Sequence, residues 1–390
     1  MMKSFTLNLR TTLFFGIDAI HSFEKIAKYI VTQDLSPLLI ITGKSSYKKC
    51  GAWNVVKEIL ESYEIEYAHY DGVSSNPTIE MVQTAFEFGR GIGAKSVLGI
   101  GGGSVIDVSK ATAVLIANKD ISARELYLKR PQVNPAVPIF AINTTHGTGT
   151  EVDRFAVATI PEERAKISIA YDSIYPTFSI DDPSLTTKLP RDQTIYVTID
   201  ALSHALESMT SKYSNPFTVN LATQASHRIF ENLPKALDHP EDVEVRYWLL
   251  YASMIAGITL DNSRAHLAHA LEHPISAVKP EVPHGLGLAL LLPVVIEKAY
   301  EAFPDVLSVA LRPIANDLRG LPEEGKKARK ALEEWISSLG LDKRLSDLGF
   351  CEEDVDELVR IALKTMKYLI GMAPFEVSDD MLKRMYIEIL

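Results

Sequence analysis

Five of the ten histidines fall in two regions of the second half of the chain. The segment 200–207 reads DALSHALE, with an aspartate and a histidine four residues apart. On a helix this spacing puts both side chains on one face, where they can hold one ion. The segment 266–274, HLAHALEHP, repeats the spacing, and PHG follows at 283–285. The candidate residues are Asp200, His204, His269, His273 and His284.

Imidazole and carboxylate groups without thiolates favour Fe²⁺, Zn²⁺, Mn²⁺ or Ni²⁺. The two cysteines, Cys50 and Cys351, are isolated, so neither a disulfide framework nor a thiolate zinc site is predicted. One Asp–His pair at this spacing is commonly a surface contact, but two such spacings followed by His284 favour a metal site. Three or four protein ligands leave a position for substrate, which is typical of a catalytic ion. We interpret His266 as a bystander.

A glycine-rich segment, GGGSVIDVSK at 101–110, follows a strand-like run and opens a helical pattern. Successive glycines let the backbone approach a phosphate. Their N–H groups and the start of the helix form an anion site suited to a pyrophosphate. The segment is neither GxGxxG nor a P-loop, and a tight turn capped by Ser104 is the alternative. We predict that Gly101, Gly102, Gly103 and Ser104 bind the phosphates of a dinucleotide.

A second polar loop, NTTHGTGTE at 143–151, follows a strand that ends at Ile142. Hydroxyls and glycines at the carboxyl end of a parallel strand lie where such sheets bind ligands. An ordinary turn explains any two of these residues more readily than it explains the whole set. The loop is therefore predicted to contact the same ligand as the glycine segment.

The first 180 residues alternate β-rich runs with helical patterns, which predicts parallel βαβ units and a Rossmann-like sheet. Predicted strands are 38–41, 67–70, 96–100 and 138–142, and predicted helices are 53–63 and 79–90. After residue 183 the segments are long, rich in Ala and Leu, and helically periodic. We predict an α/β dinucleotide-binding domain at 1–183 and an all-α domain at 184–390 that holds the metal and the substrate.

Composition narrows the class of protein. Hydrophobic residues make up 46% and charged residues 23% of the 390 residues, as in soluble globular proteins. A net charge of −10 argues against a nucleic-acid partner. No apolar run is long enough for a membrane span, and the opening MMKSFTLNLRTTLFFG lacks the pattern of a signal peptide, so we expect a cytoplasmic protein. The oligomeric state stays open, and a homo-oligomer such as a dimer is compatible with the sequence.

Taken in order, these motifs resemble the iron-containing, or group III, alcohol dehydrogenases over nearly the whole chain. The segments that carry the resemblance are Asp71-Gly with Asn76-Pro77, GGGSVIDVSK at 101–110, TTHGTGTEV at 144–152, DPSLTTKLP at 182–190, DALSHALE at 200–207, HALEHP at 269–274 and PHG at 283–285. The resemblance implies a dehydroquinate synthase-like architecture, in which an α/β domain and a helical domain enclose the site in a cleft.

The resemblance also implies roles for individual residues. The metal ligands would be Asp200, His204, His269 and His284. His273 matches a histidine beside the nicotinamide, and its ordinary pKa of about 6.5 would suit a proton carrier. The glycine segment matches the pyrophosphate loop. The further predicted cofactor contacts are Asn76, Asp107, Thr144, Thr145 and Thr148.

One stretch departs from many NAD-using members of that family, which carry an acidic residue after the second strand to hold the ribose 2′-hydroxyl. The corresponding stretch here is 41–46, ITGKSS. An aspartate would repel a 2′-phosphate, whereas glycine leaves room for it and a lysine with two serines can bind it. We therefore predict that NADP(H) is preferred over NAD(H), and that Gly43, Lys44, Ser45 and Ser46 contact the cofactor.

The expected reaction moves hydride between the nicotinamide and a small primary alcohol or aldehyde, with the divalent ion lowering the pKa of the alcohol. The resemblance favours Fe²⁺, and Zn²⁺ is the alternative. A glycerol dehydrogenase-like polyol oxidoreductase and a dehydroquinate synthase-like lyase share the expected fold. A metal- or dinucleotide-binding module without turnover is the alternative outside enzymology.

Overall fold

A computed structural model of the protein describes residues 4–390. All of its strands lie in the first half of the chain: β1 (Thr12–Phe15), β2 (Leu38–Gly43), β3 (Tyr67–Val73), β4 (Ser96–Gly101), β5 (Ile139–Asn143), β6 (Phe155–Ile160), β7 (Ala165–Ala170) and β8 (Phe178–Asp181). Six strands form one parallel sheet in the order β1-β8-β5-β4-β2-β3. Strands β6 and β7 form a separate antiparallel hairpin.

Helices cover both faces of the parallel sheet. They are α1 (Phe23–Thr32), α2 (Ser46–Lys49), α3 (Ala52–Ser62), α4 (Ile79–Gly91), α5 (Gly103–Ala117) and α6 (Ala123–Lys129). Along β2, Leu38 and Ile40 join one hydrophobic core while Leu39 and Ile41 join the other. Successive side chains of a strand point to opposite faces, so a strand buried on both faces has a continuous apolar sequence.

The predicted α/β fold is confirmed, and the four predicted strands correspond to β2, β3, β4 and β5. The sequence analysis did not identify β1, β8 or the β6–β7 hairpin. Strands β1 and β8 have only four residues each, too few to show a period. The hairpin interrupts the alternation of strands and helices on which the prediction relied.

The second half of the chain is helical, as predicted, and residues 191–390 contain no strand. Its helices are α7 (Arg191–Thr210), α8 (Pro216–Asp238), α9 (Val243–Ser263), α10 (Leu267–Val278), α11 (His284–Ala302), α12 (Pro304–Ala310), α13 (Gly325–Ser338), α14 (Val355–Thr365), α15 (Lys367–Met372) and α16 (Asp379–Glu388). They share one hydrophobic core. Within residues 4–390, no helix combines the length and apolar composition that crossing a bilayer requires.

Three neighbouring strands end together, because Gly101 of β4 pairs with Asn143 of β5, and Asn143 pairs with Asp181 of β8. The glycine segment and the polar loop therefore leave the sheet side by side at its carboxyl edge. The β6–β7 hairpin follows the polar loop and packs against α10 of the helical part. This contact brings the glycine segment, the polar loop and the histidine-bearing helices to the same region.

Candidate active site

Helix α7 carries the first pair of candidate ligands on one buried face. Asp200 and His204 are one turn apart, and Nε2 of His204 lies 3.5 Å from Oδ1 of Asp200. Nearly every residue from Thr198 to Thr210 is buried, so this helix is surrounded by protein on all sides. An aspartate in such a position needs cationic partners, since burying an unpaired charge is costly.

Helices α10 and α11 bring two more imidazoles to the same carboxylate. Nε2 of His269 lies 3.4 Å from Oδ1 of Asp200, and Nε2 of His284 lies 3.7 Å from the same atom. The rings of His204 and His269 are stacked, with centroids 4.5 Å apart. Three imidazole nitrogens from three helices therefore converge on one oxygen atom.

Gly285 allows the start of α11, which carries His284, to pack closely against α7. Gly285, the second residue of α11, packs so closely on α7 that a Cβ there would overlap the carbonyl oxygen of Tyr196. Any larger residue would push the start of α11, and His284 with it, away from α7. The PHG motif thus has a packing role in addition to supplying a candidate ligand.

The donor set fits a divalent cation. Ligand atoms of Asp200, His269 and His284 all lie within 4.8 Å of one another. Burial lowers the pKa of His269, but Glu207 and Asp200 outweigh burial and raise this pKa to about 10. Positive charge is therefore strongly stabilised between these carboxylates. Nitrogen and oxygen donors without thiolate suit Fe²⁺ and Zn²⁺ alike.

Two glutamates that the sequence analysis overlooked are hydrogen bonded to Nδ1 of His269 and Nδ1 of His284. Nδ1 of His269 is hydrogen bonded to Oε2 of Glu207, whose Oε1 accepts backbone N–H groups of His266 at 3.1 Å and Ala268 at 2.7 Å. Nδ1 of His284 is hydrogen bonded to Glu272 in the same way. A carboxylate on Nδ1 fixes the ring orientation and leaves Nε2 for a metal.

Burial raises the pKa of Glu207 and Glu272, but the facing cations reverse the shift. His269 and His266 lower the pKa of Glu207 to about 2, and His284 and Lys166 lower that of Glu272 to about 2. Both glutamates stay ionised at neutral pH. The signal that could have identified them is a repeated tetrapeptide, because HALE occurs at 204–207 and again at 269–272.

His273 lies beside the Asp200 cluster, with its ring centroid 5.5 Å from that of His284. Its Nδ1–H donates to the carbonyl oxygen of Lys166 at 3.0 Å, so Nε2 keeps its lone pair. Burial and the nearby Lys166 ammonium lower the pKa of His273 well below its ordinary value. The ordinary pKa expected from the sequence is therefore wrong for this buried ring, while the role as proton carrier stays a prediction.

The two predicted dinucleotide loops pack directly on each other. Gly102 is the N-cap of α5, and a Cβ there would lie 2.6 Å from Cγ2 of Thr145. A Cβ at Gly103 would overlap Thr148. Ser104 lies inside the first turn and does not cap the helix. The glycines are thus needed for the close approach of the polar loop 143–151.

Thr144 and Asp107 tie these loops to their surroundings. The N–H of Thr144 donates to the carbonyl oxygen of Gly101 at 3.1 Å. Asp107 accepts from Oγ1 of Thr150 at 2.7 Å and from the N–H of Val157 at 3.0 Å. Both carboxylate oxygens of Asp107 therefore have protein partners, and its predicted contact with the cofactor stays a prediction.

The predicted 2′-phosphate residues lie at the carboxyl end of β2. Gly43 is the last residue of β2, Ser45 is the N-cap residue of α2, and Ser46 is the first residue of this helix. Nζ of Lys44 is 3.1 Å from Oδ1 of Asp71 on β3, and both side chains are exposed. The structure thus brings the four predicted residues together, with one acidic neighbour.

Asn76 lies elsewhere, at the contact between the α/β part and the loop that leads to His284. Its Nδ2 donates to the carbonyl oxygens of Pro280 at 2.8 Å and Val282 at 3.2 Å. Its Oδ1 accepts from Nζ of Lys166 at 3.1 Å. The Asn76 amide therefore already has partners on both polar atoms, and its predicted role in cofactor binding stays a prediction.

Known proteins resemble this chain over nearly its whole length. A family profile described as iron-containing alcohol dehydrogenase matches residues 11–183, and the C-terminal profile of the Fe-containing alcohol dehydrogenase family matches residues 194–389. A long-chain primary alcohol dehydrogenase of Thermoanaerobacter ethanolicus is 47% identical over 388 residues, covering 99% of this chain and 97% of its own.

Two further relatives extend the comparison. An NADH-dependent butanol dehydrogenase of Clostridium acetobutylicum is 30% identical, covering 99% of this chain and all of its own. The crystal structure of an iron-containing alcohol dehydrogenase from Thermotoga maritima superposes with a TM-score of 0.85 at 30% identity, covering 99% of each chain. The resemblance noted in the sequence is thereby confirmed.

Proposed function

The chain belongs to the iron-containing alcohol dehydrogenase family, and from that premise we propose that it transfers hydride between NADP(H) and a primary alcohol or aldehyde at a divalent metal. The observation that carries the proposal is the convergence of three Nε2 atoms on Oδ1 of Asp200. The residues that would hold the ion are Asp200, His204, His269 and His284, with Fe²⁺ favoured and Zn²⁺ as the alternative. When bound, such an ion supplies Lewis acidity toward the substrate oxygen.

The remaining side chains have separable tasks. Glu207 and Glu272 hold the orientation of His269 and His284 through Nδ1. The N–H groups at the start of α5 face the edge of the sheet where a pyrophosphate would bind. His273 donates from Nδ1 and keeps a lone pair on Nε2, so it is able to accept the proton released by an alcohol at that atom.

The names of two relatives support the proposed substrate class. The Thermoanaerobacter enzyme is named for long-chain primary alcohols and the Clostridium enzyme for butanol. A panel of primary aldehydes of increasing length, together with glycerol and other polyols, therefore tests the substrate. A polyol oxidoreductase would turn over glycerol in preference to the aldehydes. A lyase of the same fold would show no net change in reduced nicotinamide during turnover.

The decisive assay follows the absorbance of reduced nicotinamide with chelator-treated protein, before and after Fe²⁺ or Zn²⁺ is added back. Aldehyde-dependent oxidation that requires the added ion supports the proposal. The absence of any oxidation with every aldehyde, cofactor and ion would contradict it. Zn²⁺ binds such sites more tightly than Fe²⁺ in the usual affinity order, so both ions are tested separately.

The preference for NADP(H) rests on Gly43 and its neighbours. Ser45 makes no side-chain capping hydrogen bond at the start of α2, so its hydroxyl is available to donate to a 2′-phosphate. Lys44 supplies a cation, although Asp71 lies 3.1 Å from it. We expect a higher kcat/KM with NADPH than with NADH.

The variant Gly43→Asp tests this preference, because a carboxylate would repel the 2′-phosphate and accept a ribose hydroxyl. A Cβ at Gly43 would lie 3.3 Å from the carbonyl oxygen of Val73, a close contact that a small shift relieves. We expect the NADPH/NADH ratio of kcat/KM to fall by about 100-fold or more. Lys57→Ala, on the exposed face of α3, is the control. An unchanged ratio in Gly43→Asp would rule out a role for this position.

A homodimer and a cytoplasmic location stay predictions from the sequence. For the dimer, three exposed apolar side chains occur at alternate positions just before the edge strand β1, namely Phe5, Leu7 and Leu9. An apolar edge of this kind is typical of a surface that pairs with another chain. Size-exclusion chromatography with light scattering distinguishes a dimer from a monomer.

A further inference from the structure

A buried lysine on the β6–β7 hairpin reaches the histidine-bearing helices. The side chain of Lys166 is 6% exposed, and its Nζ lies 3.7 Å from Oε2 of Glu272 on α10. The same ammonium donates to Oγ of Ser276 at 3.2 Å and to Oδ1 of Asn76 at 3.1 Å. A buried ammonium with three oxygen partners occupies one place, in contrast to the mobile lysines of a protein surface.

The partner Glu272 links this lysine to a proposed metal ligand. Oε2 of Glu272 is hydrogen bonded to Nδ1 of His284 and is also the carboxylate atom nearest to the ammonium. Within residues 4–390, the other oxygen of Glu272 is buried without a hydrogen-bond partner. Lys166 is therefore a second cationic partner of the carboxylate oxygen that holds His284, and it restrains the position of the Glu272 carboxylate.

The backbone of the same residue holds a second histidine, since the carbonyl oxygen of Lys166 accepts Nδ1–H of His273. Through Asn76, the side chain also reaches the backbone of Pro280 and Val282, in the loop that precedes His284. One residue of β7 thus has connections to His273, to the carboxylate behind His284 and to the loop that carries His284.

Lys166 and Asn76, which make these contacts, both belong to the α/β part of the chain. Lys166 pairs with Thr159 across the hairpin, and Thr159 donates its N–H to the carbonyl oxygen of Pro77, next to Asn76. Hairpin and loop form one hydrogen-bonded unit. This unit contacts the helical part through a buried ammonium and an amide.

We propose that Lys166 is a positioning residue that couples the dinucleotide-binding part of the chain to the metal ligand His284, through Glu272, and to the proton carrier His273, through its own carbonyl group. The inference rests on the proposed metal and proton roles of those histidines. Lys166 itself contacts neither the ion nor the substrate in this role.

The group Glu272, His273 and His284 also has ligand atoms close enough for a cation of its own. The ammonium of Lys166 lies at this carboxylate and serves as its cation. A second metal ion there would have to displace a buried lysine that has two other oxygen partners. We therefore assign this place to Lys166.

The test compares metal affinity, because the sign of the effect separates positioning from simple electrostatics. Lys166 is a cation near a proposed cation site, so if its charge alone mattered, Lys166→Met would bind Zn²⁺ more tightly than the wild type. If Lys166 positions His284, the variant binds Zn²⁺ more weakly by about 10- to 100-fold, as for other residues behind metal ligands. Competition with a chromogenic chelator measures the dissociation constant without any turnover.

Two further variants complete the design. Ser276→Ala removes one acceptor of the ammonium with little risk to folding, and we expect Zn²⁺ affinity to fall by about 2- to 10-fold. Lys279→Met is the matched control. Lys279 directly follows α10, the helix that carries Ser276, but its ammonium donates to the carbonyl oxygens of Leu348 and Gly349, away from the proposed ligands. The Zn²⁺ affinity of the Lys279→Met variant should therefore equal that of the wild type.

Three outcomes decide the matter. Weaker Zn²⁺ binding in Lys166→Met and Ser276→Ala, with wild-type binding in Lys279→Met, supports the positioning role. Unchanged or tighter binding in Lys166→Met, or equal losses in Lys166→Met and Lys279→Met, would overturn it. If the wild-type protein binds no metal ion, the proposed function fails, and the positioning role of Lys166, which rests on it, fails with it.

Discussion

The carboxylates of the histidine cluster and those at the polar loop 143–151 are buried to the same degree, yet their pKa values move in opposite directions. In the histidine cluster, Glu207 and Glu272 face imidazoles, and their pKa values fall to about 2. At the end of the polar loop, burial and the nearby Asp153 raise the pKa of Glu151 to about 7. Burial and Glu151 raise that of Asp181 well above its ordinary value.

The difference lies in the partners of each carboxylate. Glu207 accepts two backbone N–H groups and an imidazole, whereas within residues 4–390 neither carboxylate oxygen of Glu151 has a hydrogen-bond partner. Desolvation disfavours ionisation in both places. The facing imidazoles outweigh it at Glu207, whereas at Glu151 the nearby Lys110 does not outweigh burial and Asp153. Burial alone therefore does not decide whether a carboxylate can serve a metal site, and the facing groups do.

Asp200→Asn should have the largest effect, because it removes the anion on which three imidazoles converge. Losing several kcal/mol of charge stabilisation corresponds to a drop of about 10³-fold or more in kcat/KM. Metal content and steady-state kinetics are measured on the same preparation. A variant that kept both its metal and its activity would remove Asp200 from the proposed ligand set.

Glu207→Gln should have a smaller effect on the same site. Glutamine keeps the size of the side chain but removes the charge that holds Nδ1 of His269, so Zn²⁺ affinity is expected to fall by about 10- to 100-fold. Chelator competition measures this change. Glu241→Gln, whose side chain is exposed and pairs with Lys188, is the control. Equal affinities for Glu207→Gln and the wild type would show that this carboxylate does not support the ligand.

Glu151→Gln should stabilise the protein, whereas the two preceding variants should weaken the proposed metal site. Because the pKa of Glu151 rises from its ordinary value to about 7 on folding, the folded protein holds more protons than the unfolded chain between these values. The free energy of unfolding therefore decreases as pH rises through this interval, and glutamine removes that slope. We expect the variant to gain stability relative to the wild type, on the order of 2 kcal/mol, between about pH 5 and pH 8.

Thermal unfolding of both proteins across this pH range checks the prediction. The difference in Tm, variant minus wild type, should grow as pH rises. A difference that is constant with pH would mean that Glu151 is ionised throughout, and the contrast between the two regions would then disappear.

Arg164→Ala removes an exposed ion pair and should have the smallest effect on stability. Arg164 and Glu357 pair at 2.5 Å between the hairpin turn and α14, with half-exposed side chains. Solvent-exposed ion pairs contribute about 0–1 kcal/mol, so Tm should change little. Thermal unfolding at low and high salt measures the change. A loss as large as that of a buried pair would mean that this contact holds the two parts of the chain together.

Several parts of the fold were predictable because they depend on local periodicity. The apolar run at Leu38–Ile41 predicted β2, and the four-residue spacing of Asp200 and His204 predicted that they share a helix face. The glycines at 102 and 103 were assigned to phosphate binding, and the structure adds that they admit Thr145 and Thr148. The β6–β7 hairpin was missed, because its sequence shows nothing of the surface against which it packs.

The sequence by itself determined the family, the alternation of strands and helices, and the residue types available to a metal and a dinucleotide, since these depend on composition and spacing along the chain. Only the tertiary structure decided which groups face one another. Glu207 acquires its role from His269, sixty-two residues away, and Lys166 reaches Glu272 from a hairpin of the α/β part. The pKa of a buried group depends on the charges around it in space, and no local pattern in the chain specifies them.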